Sequence, residues 1–151
     1  MPSASSEYDF VTWSEFRYQI RRYIRTAEAA AREAGLEPQQ HQLLLAVRGY
    51  PGPGKPTISD LAARLQIRHH STVELLNRME EHDLIQRRPT GVGRSVVVQL
   101  TPRGRRALDN VSRRLRPELD ETAAQLIEAL TRLLPARGAT ARAPEASSKA
   151  R

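Results

Sequence analysis

The stretch Thr57-Ile-Ser-Asp-Leu-Ala-Ala-Arg-Leu65 is followed, after two residues, by Arg68-His-His-Ser-Thr-Val-Glu-Leu-Leu-Asn-Arg-Met79. Apolar residues recur in both segments at three- and four-residue steps, which is typical of helices with one buried face. Ser59 is the expected N-cap of the first helix and Ser71 or Thr72 that of the second, because a hydroxyl accepts from the unpaired N–H groups of a first turn. Two short helices joined by a tight turn are predicted.

A β-hairpin is predicted directly after this pair. Leu84-Ile-Gln-Arg-Arg88 and Ser95-Val-Val-Val-Gln-Leu100 read as short strands around the glycine-containing turn Thr90-Gly-Val-Gly-Arg94. Six arginines and no acidic residue lie between positions 84 and 106. So many charges of one sign favour a phosphate-binding surface over a merely solvated face. A helix of this size fits the major groove of B-DNA, and a basic ribbon reaches the backbone or the neighbouring minor groove. The segment predicts a winged helix-turn-helix that binds duplex DNA.

Helical apolar patterns flank this segment on both sides. Thr12-Trp-Ser-Glu15 fits a capping box that opens a helix ending near Gly35, and Pro38 suits the start of the next helix. After the hairpin, the pattern predicts one long helix, or a pair that meets near Pro117, as far as Leu134. These terminal helices carry more apolar surface than a thin winged domain covers, so burial against a second copy is preferred over packing within one chain. The predicted dimer contacts are Trp13, Phe16, Ile20, Leu119, Leu126, Ile127 and Leu130.

Opposite charges on the first and last helices predict ion pairs between them. The alternative is a solvated basic face on the first helix, and the sequence favours neither. Exposed pairs of this kind contribute about 0–1 kcal/mol each, so they would set register more than stability. The basic set is Arg17, Arg21, Arg22, Arg25 and Arg32, and the acidic set is Glu118, Asp120, Glu121 and Glu128.

The fold class expected is mainly α with a small β-hairpin wing, flanked by N- and C-terminal dimerisation helices. A chain of 151 residues suits one domain with a single core. The composition near the C-terminus, rich in Ala, Pro, Ser and Arg, is typical of a disordered basic tail. The predicted organisation is a flexible segment 1–11, a domain 12–134 with dimerisation helices 12–35 and 105–134 around a winged-helix part 38–104, and a disordered tail 135–151.

Several classes of protein are disfavoured by the composition. Without cysteine there is no disulfide framework and no thiolate zinc site. No apolar run approaches the ~20 residues of a membrane helix and no signal-peptide pattern is present, so a cytoplasmic location without membrane contact is expected. The segment Gly49-Tyr-Pro-Gly-Pro-Gly-Lys-Pro56 matches a phosphate-binding loop only in Gly54-Lys55, because Pro56 replaces the hydroxyl that would hold magnesium. A proline-stiffened loop is expected there, and no catalytic role is assigned to any residue.

The four histidines do not predict a metal site, and no cofactor is expected. His69 and His70, with Glu74 one turn after His70, supply too few ligands for a closed zinc site. At the start of a recognition helix, contact with DNA is the preferred interpretation. His41 and His82 are expected at the surface or at its boundary.

The chain resembles the multiple-antibiotic-resistance regulator (MarR) family of bacterial winged-helix transcription factors from about residue 12 to residue 134. Its most specific segments are Ile58–Leu65, Arg68–Leu75 and Arg94–Gly104. The resemblance implies an obligate homodimer with one recognition helix in each half of a near-palindromic operator, often released by a small ligand such as an aromatic acid or a phenol. One position departs from the family pattern: Val92 stands where many members have an aspartate that orients the wing-tip arginine.

The function predicted is that of a sequence-specific transcriptional regulator, a homodimeric repressor on a pseudo-palindromic operator. The alternative is a nonspecific architectural DNA-binding protein, which would share the basic hairpin. The effector cleft expected between the dimer helices and the winged part would be lined by Trp13, Phe16, Tyr23 and Tyr50, although core packing is preferred for the first two. The residues predicted to face bases or flanking phosphates are Arg68, His69, His70, Ser71, Thr72 and Asn77, with Arg87 and Arg88 on the DNA backbone and Arg94 in the minor groove.

Overall fold

The computed structural model describes residues 10–134, which form five helices and one two-stranded antiparallel sheet. This is the predicted mainly α fold with a β-hairpin wing. The predicted flexibility of residues 1–9 and the predicted disordered tail 135–151 lie outside the described residues, whereas residues 10 and 11 are helical rather than flexible. The elements are α1 (Phe10–Glu33), α2 (Pro38–Arg48), α3 (Ile58–Leu65), α4 (His69–Glu81), β1 (Ile85–Pro89), β2 (Val96–Leu100) and α5 (Pro102–Leu133).

Helix α1 begins before the position that the sequence predicts. Thr12, the expected N-cap, lies inside the helix and is buried. The helix ends before Gly35 as predicted, and the φ of 79° at this glycine is a left-handed conformation that costs glycine nothing. The N–H of Leu36 then donates to the Ala31 carbonyl at 2.9 Å, which closes a Schellman motif. The motif turns the chain into α2, where Pro38 occupies the first turn as expected.

Helix α3 is capped by a different residue from the one predicted. The Thr57 hydroxyl accepts from the Asp60 N–H at 3.2 Å, and the Asp60 carboxylate accepts from the Thr57 N–H at 2.8 Å. Thr57 is therefore the N-cap, and the predicted Ser59 is an exposed residue of the first turn. The hydrogen bond from the Thr57 backbone lowers the pKa of Asp60, because it stabilises the charged carboxylate.

Helix α4 also begins earlier than predicted. Its N-cap is Arg68, so Ser71 and Thr72 lie inside the helix and neither is its cap. Between α3 and α4, Gln66 has a φ of 54°, and this left-handed residue reverses the chain within the short interval. The tight helix-turn-helix that the sequence predicts is thus present.

Helix α5 is one continuous helix of 32 residues, so of the two arrangements predicted the single helix is found, with Pro117 inside it. It starts at Pro102, three residues before the predicted boundary. The Thr101 hydroxyl caps it by accepting from the Gly104 N–H at 2.9 Å. A Cβ added to Gly104 would overlap the Leu84 carbonyl, so only glycine permits this approach of α5 to the start of the wing.

The core lies where α2, α3, α4 and the hairpin meet α5. Its largest members are fully buried aliphatic side chains, and each contributes about 1.5–3 kcal/mol relative to an exposed position. Leucine dominates, with β-branched residues on the strands, as the apolar patterns predict. The set is Leu43, Leu44, Leu61, Leu75, Leu76, Met79, Ile85, Val98, Leu108 and Val111.

Helices α1 and α5 pack antiparallel along most of their length. Of the ion pairs predicted between them, Arg22–Glu121 is present at 3.1 Å, within one chain. A second pair has the opposite polarity and joins Arg114 of α5 to Glu33 of α1 at 3.2 Å. Glu128, also predicted to cross, pairs inside α5 instead. No helix within residues 10–134 combines the length and apolarity needed to cross a membrane.

Glu80 near the end of α4 fixes the first strand of the wing. One carboxylate oxygen accepts from the Arg87 backbone N–H at 2.9 Å, and the other accepts from the Arg87 Nε at 3.0 Å. The side-chain hydrogen bond from Arg87 lowers the pKa of Glu80 from its ordinary value of 4.5. Both side chains are about one-quarter to one-third exposed, at 26% and 34%.

Replacing Glu80 by Gln should lower the free energy of unfolding by about 1–2 kcal/mol at neutral pH. Because the folded pKa of Glu80 is depressed, its contribution is full above about pH 4.5 and is lost as the pH falls below that value. Urea unfolding at fixed protein concentration should therefore show a gap between wild type and E80Q that narrows on acidification. The control is E81Q, at the exposed neighbouring carboxylate, for which a small gap is expected; an equal, pH-independent loss in both variants would contradict the assignment.

Candidate nucleic-acid interface

The exposed side of α4 carries most of the residues predicted to contact DNA. Arg68, His69, His70 and Asn77 are exposed, and Ser71 is half-buried near the start of the helix. The side chains of His70 and Asn77 lie on one face, seven residues apart. This face offers hydrogen-bond donors and acceptors that can pair with the edges of bases and with phosphates.

Thr72 does not belong to this surface. Its side chain is fully buried, and its hydroxyl donates to the Arg68 carbonyl at 3.1 Å. The position follows from helical spacing, because Thr72 shares the inward face with Leu75, Leu76 and Met79. The prediction that Thr72 contacts a base or a phosphate is therefore wrong.

The wing tip is organised by a threonine in place of an acidic residue. The Thr90 N–H donates to the Ser95 carbonyl at 3.0 Å, and its hydroxyl accepts from the Val92 N–H at 3.2 Å. Gly91 has a φ of 79°, which completes the tight turn. Arg94 at this tip is exposed, and its guanidinium has no ion-pair partner among residues 10–134. A free cation at the end of a ribbon is suited to a phosphate or a minor groove.

The two strand arginines of the wing have different environments. The Arg88 side chain is exposed and donates to Gln86 at 2.8 Å, so its charge is uncompensated. The Arg87 side chain is engaged by Glu80 and donates from Nη2 to the Asn77 Oδ1 at 2.8 Å. The Arg87 guanidinium thus links the wing to α4. Its contact with the DNA backbone stays a prediction.

The sequence analysis did not assign two acidic residues of α4 to this surface. Glu74 is exposed between His70 and Asn77 on the same face; its spacing from His70 was considered above only for a metal site. Glu80 holds Arg87 across seven residues and two elements, a contact that no helical or strand period indicates.

Of the four residues predicted to line one effector cleft, Trp13 and Phe16 share a cleft, whereas Tyr23 and Tyr50 do not line it. Tyr50 lies beside Asp60 at the start of α3, where burial and this carboxylate raise the pKa of its phenol. Tyr23 is half-buried on α1, away from the cleft that Trp13 and Phe16 share. That cleft has a volume of about 610 Å³ at one end of the α1–α5 pair, and it is lined by Phe10, Trp13, Ser14, Phe16, Arg17 and Leu133.

The residues predicted to form dimer contacts lie on α1 and α5, and none is fully buried. Among the exposed large apolar side chains of residues 10–134, all except Leu45 and Val92 lie on these two helices or at the end of α5. Trp13, Leu119, Ile127 and Leu130 are exposed, and Phe16, Ile20 and Leu126 are half-buried.

The histidines are dispersed. Within residues 10–134, no group of three or more His, Cys, Asp or Glu side chains is arranged to hold a metal ion. His82 is exposed, as expected. His41, expected at the surface or its boundary, is instead buried on α2, and this burial lowers the pKa of its imidazole.

Comparison with known proteins gives a family match to part of the chain and several structures of the same fold. Residues 34–95 match the family model described as MarR family, whereas none of the curated proteins matches the sequence. Wild-type MarR from E. coli in its apo form has a TM-score of 0.65 and 18% identity, over 79% of this chain and 93% of that chain. The M. tuberculosis transcriptional regulator MosR in complex with DNA has a TM-score of 0.57 and 23% identity, over 78% and 88%. A mutant of E. coli MarR complexed with operator DNA has a TM-score of 0.62 and 17% identity, over 79% and 90%.

The matched segment runs from the end of α1 through the helix-turn-helix to the tip of the wing. The flanking helices complete the same fold as in the solved structures. Residues 34–95 thus match the MarR family model, and the described chain has the winged-helix fold of these solved structures.

Proposed function

We propose that this protein is a sequence-specific duplex DNA-binding transcriptional regulator that acts in the cytoplasm as a homodimeric repressor on a pseudo-palindromic operator. Regulators of this family are generally non-enzymatic DNA-binding proteins. The observation that carries the proposal is the continuity of the α4 face with the wing, which the 2.8 Å hydrogen bond between Arg87 and Asn77 joins directly. A helix and a basic ribbon held side by side match one major groove and the backbone or minor groove next to it.

The charges of this surface support DNA as the partner. Arg88 and Arg94 have no acidic partner within the described residues, so their positive charges are available to phosphates. His69 and His70 begin α4, where the helix dipole also favours an anion. The M. tuberculosis regulator and the mutant E. coli protein with the same fold were solved with DNA, which agrees with this assignment.

The exposed apolar side chains support the homodimer. Ile127 is 64% exposed, and Leu119 and Leu130 are 44% and 40% exposed on the same helix. Monomeric soluble proteins rarely expose large contiguous apolar patches. A second copy on α1 and α5 would cover these residues, and it would set the two α4 helices in successive major grooves, about 34–36 Å apart.

Selection of bound sequences from a random duplex library at physiological salt tests the proposal directly. A two-fold symmetric motif is the expected result. Random recovery, with binding governed by salt alone, would instead indicate the alternative, a nonspecific architectural DNA-binding protein.

Replacing Arg94 by Ala should weaken binding to the selected operator and flatten its dependence on salt. For each Arg94 that neutralises a phosphate, the slope of log K against log salt should become less negative by about one unit. Fluorescence anisotropy at several salt concentrations measures both quantities. R132A removes the same charge at the far end of α5, so it should leave the slope unaltered; an unaltered slope and affinity in R94A would remove Arg94 from the interface.

Replacing Ile127 by Glu should dissociate the homodimer, because a carboxylate cannot be buried unpaired at an apolar contact. Sedimentation should show a monomer, and circular dichroism should show the helix content of the wild type. Operator affinity should fall by about 10³-fold or more because only one half-site is held. L45E is the matched control, since Leu45 is also exposed but lies on α2. A dimer of wild-type affinity in I127E would rule out this face.

The proposal includes release of the operator by a small aromatic or phenolic effector. The cleft beside Trp13 and Phe16 combines aromatic walls with the Arg17 cation, which suits an aromatic acid. Because Trp13 is the only tryptophan, benzoate should change the protein's fluorescence and lower its operator affinity. R17Q should abolish both effects and R25Q neither, whereas no response of the wild type to benzoate would exclude this ligand from the cleft.

A further inference from the structure

Asn77 is the one residue of the exposed α4 face whose side chain is oriented by the wing. Its Oδ1 accepts from the Arg87 Nη2 at 2.8 Å. Arg87 is itself held at its Nε and its backbone N–H by the two oxygens of Glu80. Because Arg87 donates and cannot accept, the Asn77 side chain is fixed with its oxygen toward β1 and its NH₂ group away from it.

This orientation decides what Asn77 offers to a base. An asparagine that recognises adenine uses its oxygen and its NH₂ together, one accepting from N6 and the other donating to N7. The oxygen of Asn77 faces a guanidinium, whose N–H occupies the lone pair on that side. What remains outward is the NH₂, a donor only, and the major-groove edge of guanine presents two acceptors, O6 and N7, with no donor between them.

We propose that Arg87 is a positioning residue for specificity: it fixes Asn77 as a hydrogen-bond donor, so that each α4 helix selects guanine at the base pair facing Asn77. This inference rests on the proposed function, and it predicts the base at one position in each half of the regulator's operator. It differs from a phosphate contact by Arg87, which would strengthen binding to every sequence alike. It differs as well from a purely structural role, which would alter stability without altering base preference.

The test compares the motifs that wild type and three variants select from the same random duplex library. Asn77→Asp keeps Oδ1 for Arg87 but replaces the donor by an acceptor, so the selected guanine should change to cytosine, whose N4 donates. Arg87→Lys keeps the charge but loses the fork that holds both Glu80 and Asn77. In R87K the discrimination for guanine, expected to be roughly 5- to 150-fold in the wild type, should collapse at that position alone. Arg88→Lys is the matched control, and its motif should equal that of the wild type.

Base preferences are ratios among bound sequences, so a smaller folded fraction in R87K does not change them. If the wild type selects a symmetric motif while N77D and R87K select the same motif, or if adenine occupies the position, the inference is wrong and the proposed function stands. A uniform loss of affinity in R87K with unchanged preferences would likewise overturn it. If the wild type selects no motif, the proposed function fails and this inference fails with it.

Discussion

The clamp between Glu80 and Arg87 is the contact on which the proposed DNA-facing surface depends. A two-stranded hairpin has little stability of its own, so its direction is set by what it is attached to. Glu80 uses both carboxylate oxygens to hold the backbone and the side chain of Arg87, and Arg87 passes the constraint to Asn77. The helix and the wing consequently behave as one polar surface rather than as two elements joined by a loop.

A second constraint fixes the opposite end of the wing. Thr101 accepts from the Gly104 N–H and donates to the Asp83 carbonyl at 2.6 Å, which ties the start of α5 to the turn that precedes β1. Gly104 lies against the Leu84 carbonyl where no side chain would fit. The long helix that leads to the proposed dimer face therefore leaves the hairpin in one direction. In the proposed homodimer, these contacts would connect the α5 face to the turn that follows α4.

The wing tip is ordered without the acidic residue that is common at this position in the MarR family, which the sequence resembles. The turn is closed by the Thr90 hydroxyl and by two glycines with positive φ. Arg94 has no ion-pair partner within the described residues. In the proposed complex with DNA, its contribution would be chiefly electrostatic, since no neighbouring carboxylate fixes the guanidinium for a specific contact.

Sequence periodicity by itself determined the helix-turn-helix, the hairpin and the helical flanks, because these follow from spacing along the chain and from turn chemistry. The basic wing and the exposed positions of α4 followed from the same local information. What only the tertiary structure decided are contacts between elements: the burial of Thr72, the capture of Arg87 by Glu80 and the separation of Tyr23 and Tyr50 from the cleft at Trp13. A residue's type and spacing indicate which face of its element it occupies. The partner that packs on that face is determined by contacts between segments distant in sequence. For Arg87, packing adds what the sequence did not indicate: an ion pair with Glu80 and a hydrogen bond that orients Asn77 of α4.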